Sequence, residues 1–196
     1  MAGHAPLVVL LSGPNGAGKS TSAARLLRGA LAVEEFVNAD TIAQGLSAYR
    51  PEAAAIAAGR VMLDRLRFLA RERRDFAFET TLAGRRHLRW LRALRASGYR
   101  VHVIFLSLPS PDLAVARVAD RVRRGGHDVP EGVVRRRFAS GIAHLFADYL
   151  DLADGWQIYD NSEVTGPRLI ASRAAAAPAI IADSDAWQHL KSWNRE

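Results

Sequence analysis

Apolar residues follow two alternating patterns along the chain: short continuous runs, and longer stretches in which they recur every three or four positions. The short runs predict buried strands, and the longer stretches predict amphipathic helices. The predicted strands cover residues 7–11, 36–38, 76–79, 101–108 and 157–159. The predicted helices cover residues 19–28, 51–73, 86–97, 111–124, 130–149 and 166–176. The pattern beyond Pro178 is ambiguous.

Strands that alternate with helices predict an α/β fold with a parallel sheet covered by helices on both faces. The length of 196 residues suits one domain. Within it we expect a lid at about residues 115–135 and a helical C-terminal part at about residues 166–196. In such sheets ligands bind beyond the carboxyl ends of the strands. Polar residues at predicted strand ends are therefore the first candidates for function.

The segment that follows the first strand has the pattern G-x-x-x-x-G-K-[ST]. Its glycines allow successive backbone N–H groups to point at one anion, and the next helix directs its positive end there. Lys19 is expected to reach the β and γ phosphates of ATP, and Ser20 to hold Mg²⁺. The residues expected to contact ATP are Gly13, Pro14, Asn15, Gly16, Ala17, Gly18, Lys19, Ser20 and Thr21.

Carboxylates follow the second and third predicted strands. Asp40 could take the proton from an acceptor hydroxyl during phosphoryl transfer, or it could cap a helix, and the two roles are compatible. Glu79, next to Thr80 and Thr81, could hold a water bound to Mg²⁺ or a substrate hydroxyl, or it could be a solvated strand end.

Residues 117–130 contain several arginines followed by a Gly-Gly pair. This arrangement is typical of a mobile lid that brings guanidinium groups to a transferring phosphate, with Arg121 and Arg124 as the candidates. A basic, solvated helix end is the alternative. His127 could contact the substrate or only belong to the loop, and nothing near it in sequence predicts a metal site.

Composition narrows the function classes. The chain contains no cysteine, which excludes disulfides, thiolate metal sites and cysteine nucleophiles. We find no signal peptide and no apolar run long enough to span a membrane, so we expect a cytoplasmic protein. The formal net charge of +7 raises the question of nucleic acid. However, the basic residues are scattered and do not alternate with stacking aromatic residues, so nucleic-acid binding is not favoured.

The guanine-reading motif N-K-x-D and the switch motif D-x-x-G are absent from the sequence. Together with the early carboxylate and the arginine-rich segment, this favours an ATP-dependent small-molecule kinase over a switch GTPase. Two alternatives stay open. One is a kinase for another acceptor, such as an antibiotic or a nucleic-acid 5′ hydroxyl, and the other is a non-catalytic nucleotide-binding interaction protein.

Several segments together resemble the short zeta-toxin-like P-loop kinases. They are the phosphate loop, Asn-Ala-Asp at 38–40, Phe-Glu-Thr-Thr-Leu at 78–82, Gly-Gly-His-Asp-Val-Pro at 125–130, Arg-Arg-Phe at 136–138 and Tyr-Asp-Asn-Ser at 159–162. The resemblance implies a P-loop NTPase fold with five parallel strands, and ATP with Mg²⁺. In zeta toxins the acceptor is a sugar hydroxyl of a UDP-N-acetylhexosamine, and a small antitoxin protein blocks the ATP site.

Carried over to this chain, the resemblance implies that Lys19 is the phosphate-loop lysine, Asp40 the base and Arg121 the first lid arginine. Glu79 and Thr81 match the substrate-side element. Larger zeta toxins carry a second lid arginine where this chain has His127 and Asp128, so Arg123 or Arg124 would have to replace it. The acidic residue expected on the second long helix is matched only loosely by Asp64.

Overall fold

The computed structural model describes residues 4–29 and 31–194. Its strands are β1 Leu7–Ser12, β2 Phe36–Val37, β3 Phe76–Thr80, β4 Arg100–Ser107, β5 Gly155–Asp160, β6 Arg168–Arg173 and β7 Ile180–Ile181. Its α-helices are α1 Lys19–Arg28, α2 Ala39–Leu46, α3 Ala55–Arg71, α4 Leu88–Ala96, α5 Pro111–Arg123, α6 Glu131–His144, α7 Leu150–Leu152 and α8 Ser184–Ser192. A 3₁₀ turn, Pro51–Ala54, precedes α3, and a π-helical turn, Leu145–Tyr149, joins α6 to α7.

The described strands form one sheet in the order β2-β3-β1-β4-β5-β6-β7. The five predicted strands are confirmed, and they pair with one another in parallel. The expectation of a purely parallel five-stranded sheet is wrong, because β6 and β7 add two antiparallel strands beyond β5. The fold is thus an α/β fold with a mixed central sheet flanked by helices.

Strand β1 determines where a ligand can bind. All of its residues are buried, as expected for a central parallel strand. The chain leaves β1 for β2 on one side of the sheet, whereas the connection after β3 crosses to β4 on the other side of β1. Such a switch point opens a crevice at the carboxyl end of the strand. The phosphate loop begins there.

The helix predicted at residues 166–176 is wrong, because residues 168–173 form β6. The alanines of this segment favour a helix by intrinsic propensity, but pairing with β5 overrides that preference. Ile170 and Ala171 are buried in the sheet, and Arg173 donates hydrogen bonds to the carbonyls of Leu150 and Ala153 at the end of α7. Of the expected helical C-terminal part, only α8 is helical.

Helix α2 was missing from the sequence prediction. It begins after Asn38, whose side-chain oxygen accepts hydrogen bonds from the backbone N–H groups of Asp40, at 2.7 Å, and Thr41, at 3.2 Å. A side-chain cap of this kind is what allows so short a helix to start at a defined residue. No helix in the described part of the chain has the length and apolar character needed to cross a membrane.

Helix α6 crosses the loop that follows β3 at very short range. A Cβ atom added to Gly141 would lie 2.6 Å from the carbonyl oxygen of Thr81. In the same loop, the ring Nδ1 of His144 lies 2.8 Å from the Leu82 carbonyl oxygen, and the Tyr149 hydroxyl donates to the Gly84 carbonyl. The loop is therefore held by α6 and by the π-helical turn after it.

This crossing predicts opposite effects for two glycine substitutions in α6. Gly141→Ala should destabilise the protein by about 1–3 kcal/mol, since the added methyl group overlaps a backbone carbonyl. Gly132→Ala should stabilise it by about 0.5–1 kcal/mol, because a Cβ there meets no atom within 4 Å and alanine favours a helix. Urea unfolding of the two variants and the parent protein measures both effects. Equal stability of the two variants would contradict the proposed crossing.

Candidate active site

Three glycines in the phosphate loop stand where a side chain would collide with a neighbouring element. A Cβ on Gly13 would lie 2.2 Å from the Leu106 carbonyl oxygen, and one on Gly16 would lie 2.7 Å from the Ala114 carbonyl oxygen. All three have positive φ, at 140° for Gly13, 77° for Gly16 and 74° for Gly18. Glycine adopts this backbone at little cost. The glycines thus allow a loop that is tightly curved and closely packed, as a phosphate cradle requires.

The Lys19 side chain is buried and bends back over the loop. Its ammonium nitrogen donates to the carbonyl oxygens of Gly13, at 3.0 Å, and Pro14, at 2.9 Å, and lies 3.6 Å from a Glu79 carboxylate oxygen. Burial lowers the Lys19 pKa, and the nearby Glu79 carboxylate opposes that shift. A buried ammonium group with a single carboxylate beside it is suited to bind a polyanion, which would supply the missing negative charge.

Ser20, Asn38 and Glu79 form a hydrogen-bonded cluster next to Lys19. The Ser20 hydroxyl donates to Glu79 at 2.6 Å, and the Asn38 amide donates to the same carboxylate oxygen at 2.7 Å. Mg²⁺ is usually held by hydroxyl and carboxylate oxygens together with water and substrate phosphates. Ser20 and Glu79 therefore fit Mg²⁺ bound with ATP. Among the described residues there is no cluster of three or more His, Asp or Glu side chains that could hold a metal by itself.

Asp40 is the second residue of α2 and is exposed in the same cleft. The interpretation of Asp40 as the cap of α2 is wrong, because Asn38 is the capping residue and Asp40 only donates its backbone N–H to it. The Asp40 carboxylate is thereby free of a capping role and lies in the first turn of α2.

Helices α5 and α6 form the wall of the cleft opposite α2. The Arg121 guanidinium donates to the His127 carbonyl oxygen at 2.7 Å, while its Nε is buried and has no hydrogen-bond partner among the described residues. An unpaired buried N–H is costly, and an anion in the cleft would satisfy it. Arg124 also lines the cleft but is paired with Asp120 at 2.9 Å and is 79% exposed.

The cleft has a volume of about 580 Å³ and brings together most of the predicted residues. Its lining includes Asn15, Gly16, Gly18, Lys19, Ser20, Thr21, Asp40, Glu79, Thr80, Thr81, Arg121 and Arg124. His127 lies elsewhere, in a small neighbouring cavity of about 60 Å³ that it shares with Asp40. Its backbone carbonyl accepts a hydrogen bond from Arg121, which lines the cleft.

The cleft also contains arginines that the sequence analysis did not select: Arg86, Arg117 and Arg137. Arg117 donates to the carbonyl oxygens of Asn161 and Ser162, and Arg137 reaches the Asn15 side chain of the phosphate loop at 3.4 Å. In a chain this rich in arginine no local pattern marks Arg86, whereas Arg137 lies in the Arg-Arg-Phe segment at 136–138 that is part of the resemblance. The signal that could have identified Arg117 is its position one helical turn before Arg121 on α5.

Arg86 is positioned by a buried, neutral histidine. Its Nε donates to the His87 Nε2 at 3.0 Å, and the His87 ring packs against Phe78 with 5.2 Å between ring centroids. Burial, with a smaller effect from Arg86, lowers the His87 pKa from 6.5 to about 4. His87 is therefore an acceptor for Arg86 at neutral pH, and its protonation would remove that hydrogen bond.

The lowered pKa of His87 predicts a pH dependence of stability. The unfolded chain takes up the His87 proton near pH 6.5 and the folded chain near pH 4, so the contribution is complete above pH 6.5 and is lost as the pH falls towards 4. Between pH 7.5 and 4.5 the parent protein should lose about 2 kcal/mol more unfolding free energy than His87→Gln, which keeps an acceptor for Arg86. Urea unfolding at both pH values tests this, and parallel losses would refute it.

Fold and site together define a P-loop NTPase. Residues 8–142 match the family described as AAA domain, and the chain belongs to that family. An uncharacterized protein of Haemophilus influenzae is 30% identical over 132 residues, which are 66% of this chain and 91% of that protein.

Solved structures show the same fold at low sequence identity. The chain is similar to the AvrRxo1-ORF1:-ORF2 complex crystallised with ATP, with a TM-score of 0.73 and 15% identity over 97% of this chain. It spans 65% of the length of the AvrRxo1 chain that it matches. It is also similar to the PezAT chromosomal toxin-antitoxin system of Streptococcus pneumoniae, with a TM-score of 0.62 and 15% identity, over 100% of this chain and 88% of that one.

Proposed function

We propose that this protein is an ATP-dependent kinase that transfers the γ-phosphate of ATP to a hydroxyl group of a small molecule. The observation that carries this proposal is the composition of one cleft. The phosphate loop forms one side, the Asp40 carboxylate lies at the mouth of the acceptor side, and Arg121 closes the third side with an unpaired buried N–H. Phosphoryl transfer needs an anion cradle, a proton acceptor and a mobile or fixed positive charge, and all three are present.

The loop and Lys19 bind and orient the phosphates. Backbone N–H groups at the start of α1 face the cleft without any side-chain cap on that helix. They are therefore free to donate to phosphate oxygens. Ser20 and Glu79 would hold Mg²⁺, which neutralises charge on the β and γ phosphates when bound.

In the proposed transfer, Asp40 accepts the proton of the acceptor hydroxyl. The hydroxyl oxygen bonds to the γ-phosphorus as the bond from that phosphorus to the bridging oxygen of ADP breaks, and ADP leaves with the electron pair. Arg121 stabilises the charge that spreads over the transferring group. Arg124 would act in the same way only after leaving Asp120. Thr80 and Thr81 line the acceptor side, and His127 lies behind Asp40.

The first acceptor to test is a UDP-N-acetylhexosamine, because the segments at 78–82 and 125–130 resemble those of zeta-toxin-like kinases. The proposal extends to a small protein partner that covers the cleft. It is supported by the fold shared with PezAT, described as a toxin-antitoxin system, and with the two-component AvrRxo1 complex.

Substitution of Lys19 and Asp40 tests the transfer. With Mg²⁺ and ATP, the purified protein should form a phosphorylated product from UDP-N-acetylglucosamine or, failing that, from a metabolite extract screened by mass spectrometry. Lys19→Ala should abolish product, and Asp40→Asn should lower kcat by at least about 100-fold while ATP still binds. Asp185→Asn, an exposed carboxylate on α8 that does not line the cleft, is the control and should keep full activity. ATP binding without any product would favour a non-catalytic protein, and full activity of Asp40→Asn would exclude Asp40 as the base.

The arginines of α5 should contribute unequally. Arg121→Ala is expected to lower kcat by about 10³-fold or more, because a guanidinium directed at the transferring phosphate is typically worth that much. Arg124→Ala should lower it by less than about 10-fold, since its guanidinium is occupied by Asp120. Steady-state kinetics with the identified acceptor measure both, and a larger loss for Arg124 would show that the α5 end rearranges during transfer.

A further inference from the structure

A second cavity adjoins the cleft between α3 and α4. It has a volume of about 230 Å³ and is lined by Leu63, Leu66, Arg67, Arg86, His87 and Trp90. Arg86 lines both this groove and the cleft. On α3, Met62 faces the cleft and the next residue, Leu63, faces the groove. The two cavities are therefore adjacent, and Arg86 stands at their junction.

The walls of the groove are carbon-rich and firmly held. The Trp90 ring packs against Phe76 and Phe78 of β3, with 6.1 Å between ring centroids in each case. Leu66 is buried and Leu63 is half-buried beside it. A fixed indole ring and aliphatic walls bind flat apolar groups well. They favour an apolar ring over the polar edge of a nucleobase, which would lose its water there without gaining hydrogen bonds from the two leucines.

Arg86 adds a positive charge at the entrance of the groove. Its Nε is committed to His87, and its side chain forms no ion pair with any side chain that the structure describes. With its Nε held by His87, the guanidinium presents its two terminal NH₂ groups in one plane. This arrangement suits a phosphate or a carboxylate.

We propose that Arg86 and this groove form the distal part of the acceptor site, and that the acceptor carries an anionic group joined to an aryl or other flat apolar group. The hydroxyl would lie at Asp40, the anionic group at Arg86 and the apolar group against Trp90. The inference rests on the proposed kinase function, because only that function makes the ligand an acceptor. Within that function it favours an acceptor with an aryl group over a UDP-N-acetylhexosamine. The ligand chemistry itself rests on the groove.

Binding can be measured at the groove independently of catalysis. The full chain contains 4 tryptophans, so 5-fluorotryptophan labelling gives few ¹⁹F signals, and Trp90→Phe identifies the one from Trp90. With saturating Mg²⁺ and ADP in the phosphate loop, phenyl phosphate should shift the Trp90 signal in a saturable way. Inorganic phosphate should leave that signal in place, and uridine 5′-monophosphate should bind about 10-fold more weakly than phenyl phosphate.

The matched variants are Arg86→Gln and Arg89→Gln. Both residues are exposed, but Arg89 lies on α4 away from both cavities. Urea unfolding of both variants separates the effect of losing the Arg86–His87 hydrogen bond from a loss of binding. Arg86→Gln should weaken phenyl phosphate binding by about 10-fold or more, as loss of a charge-assisted pair implies, and Arg89→Gln should leave it unchanged.

The inference is overturned if phenyl phosphate does not move the Trp90 signal, if the two arginine variants bind it equally, or if uridine 5′-monophosphate binds as tightly. These outcomes are separate from those of the kinase assay. Phosphate transfer that depends on Lys19, without ligand binding at Trp90, would refute only the groove. Binding at Trp90 in a protein that never consumes ATP would refute the kinase and leave the groove as a ligand site.

Discussion

The close approach of the phosphate-loop backbone to its neighbours is the constraint on which the rest of the structure depends. Gly13 rests against the end of β4, Gly16 against the first turns of α5, and Gly18 against the side chain of Asn161 after β5. The Asn161 amide also donates to the Ala17 carbonyl oxygen at 2.7 Å. A single added methyl group would collide with the neighbouring element at each of these three contacts. The loop backbone therefore packs directly against three separate elements and fixes their positions. The wall that carries Arg121 is placed in this way, although it is about a hundred residues away in sequence.

Charge is distributed very differently in the cleft and on the rest of the molecule. Outside the cleft, arginines such as Arg85, Arg95 and Arg168 pair with carboxylates of other elements. These surface pairs contribute little to stability individually. Inside the cleft, Lys19 and Arg121 carry two positive charges. Lys19 lies beside the Glu79 carboxylate, whereas the Arg121 Nε has no hydrogen-bond partner among the described residues. The net charge of +7 is thus less informative than the places where positive charge is left without a partner.

Local sequence patterns were sufficient to predict the parallel strands and the phosphate loop. A buried strand followed by a glycine-rich loop can be identified from a short stretch of residues. They failed where pairing decides the conformation. Residues 168–173 have alanine and arginine that suit a helix, and only the free edge of β5 makes them a strand. Helix α2 was missed because it is short and because its cap, Asn38, lies two residues before Asp40, the residue that was considered as a cap. Arg137 was missed because its contact, Asn15, is far away in sequence, and Arg86 because no local pattern shows which cavities its side chain lines.

The double role of the Asn38 side chain has a consequence for the order in which reactants bind. Its oxygen holds the start of α2, and its nitrogen contacts both Ser20 and Glu79. If a nucleotide and its metal draw the Ser20 hydroxyl away, Glu79 keeps the Asn38 amide as a donor, and α2 keeps its cap. The hydrogen bonds that hold the Asp40 side of the cleft thus come from the protein's own residues. For the proposed transfer, this construction favours random addition of the two reactants over a compulsory order.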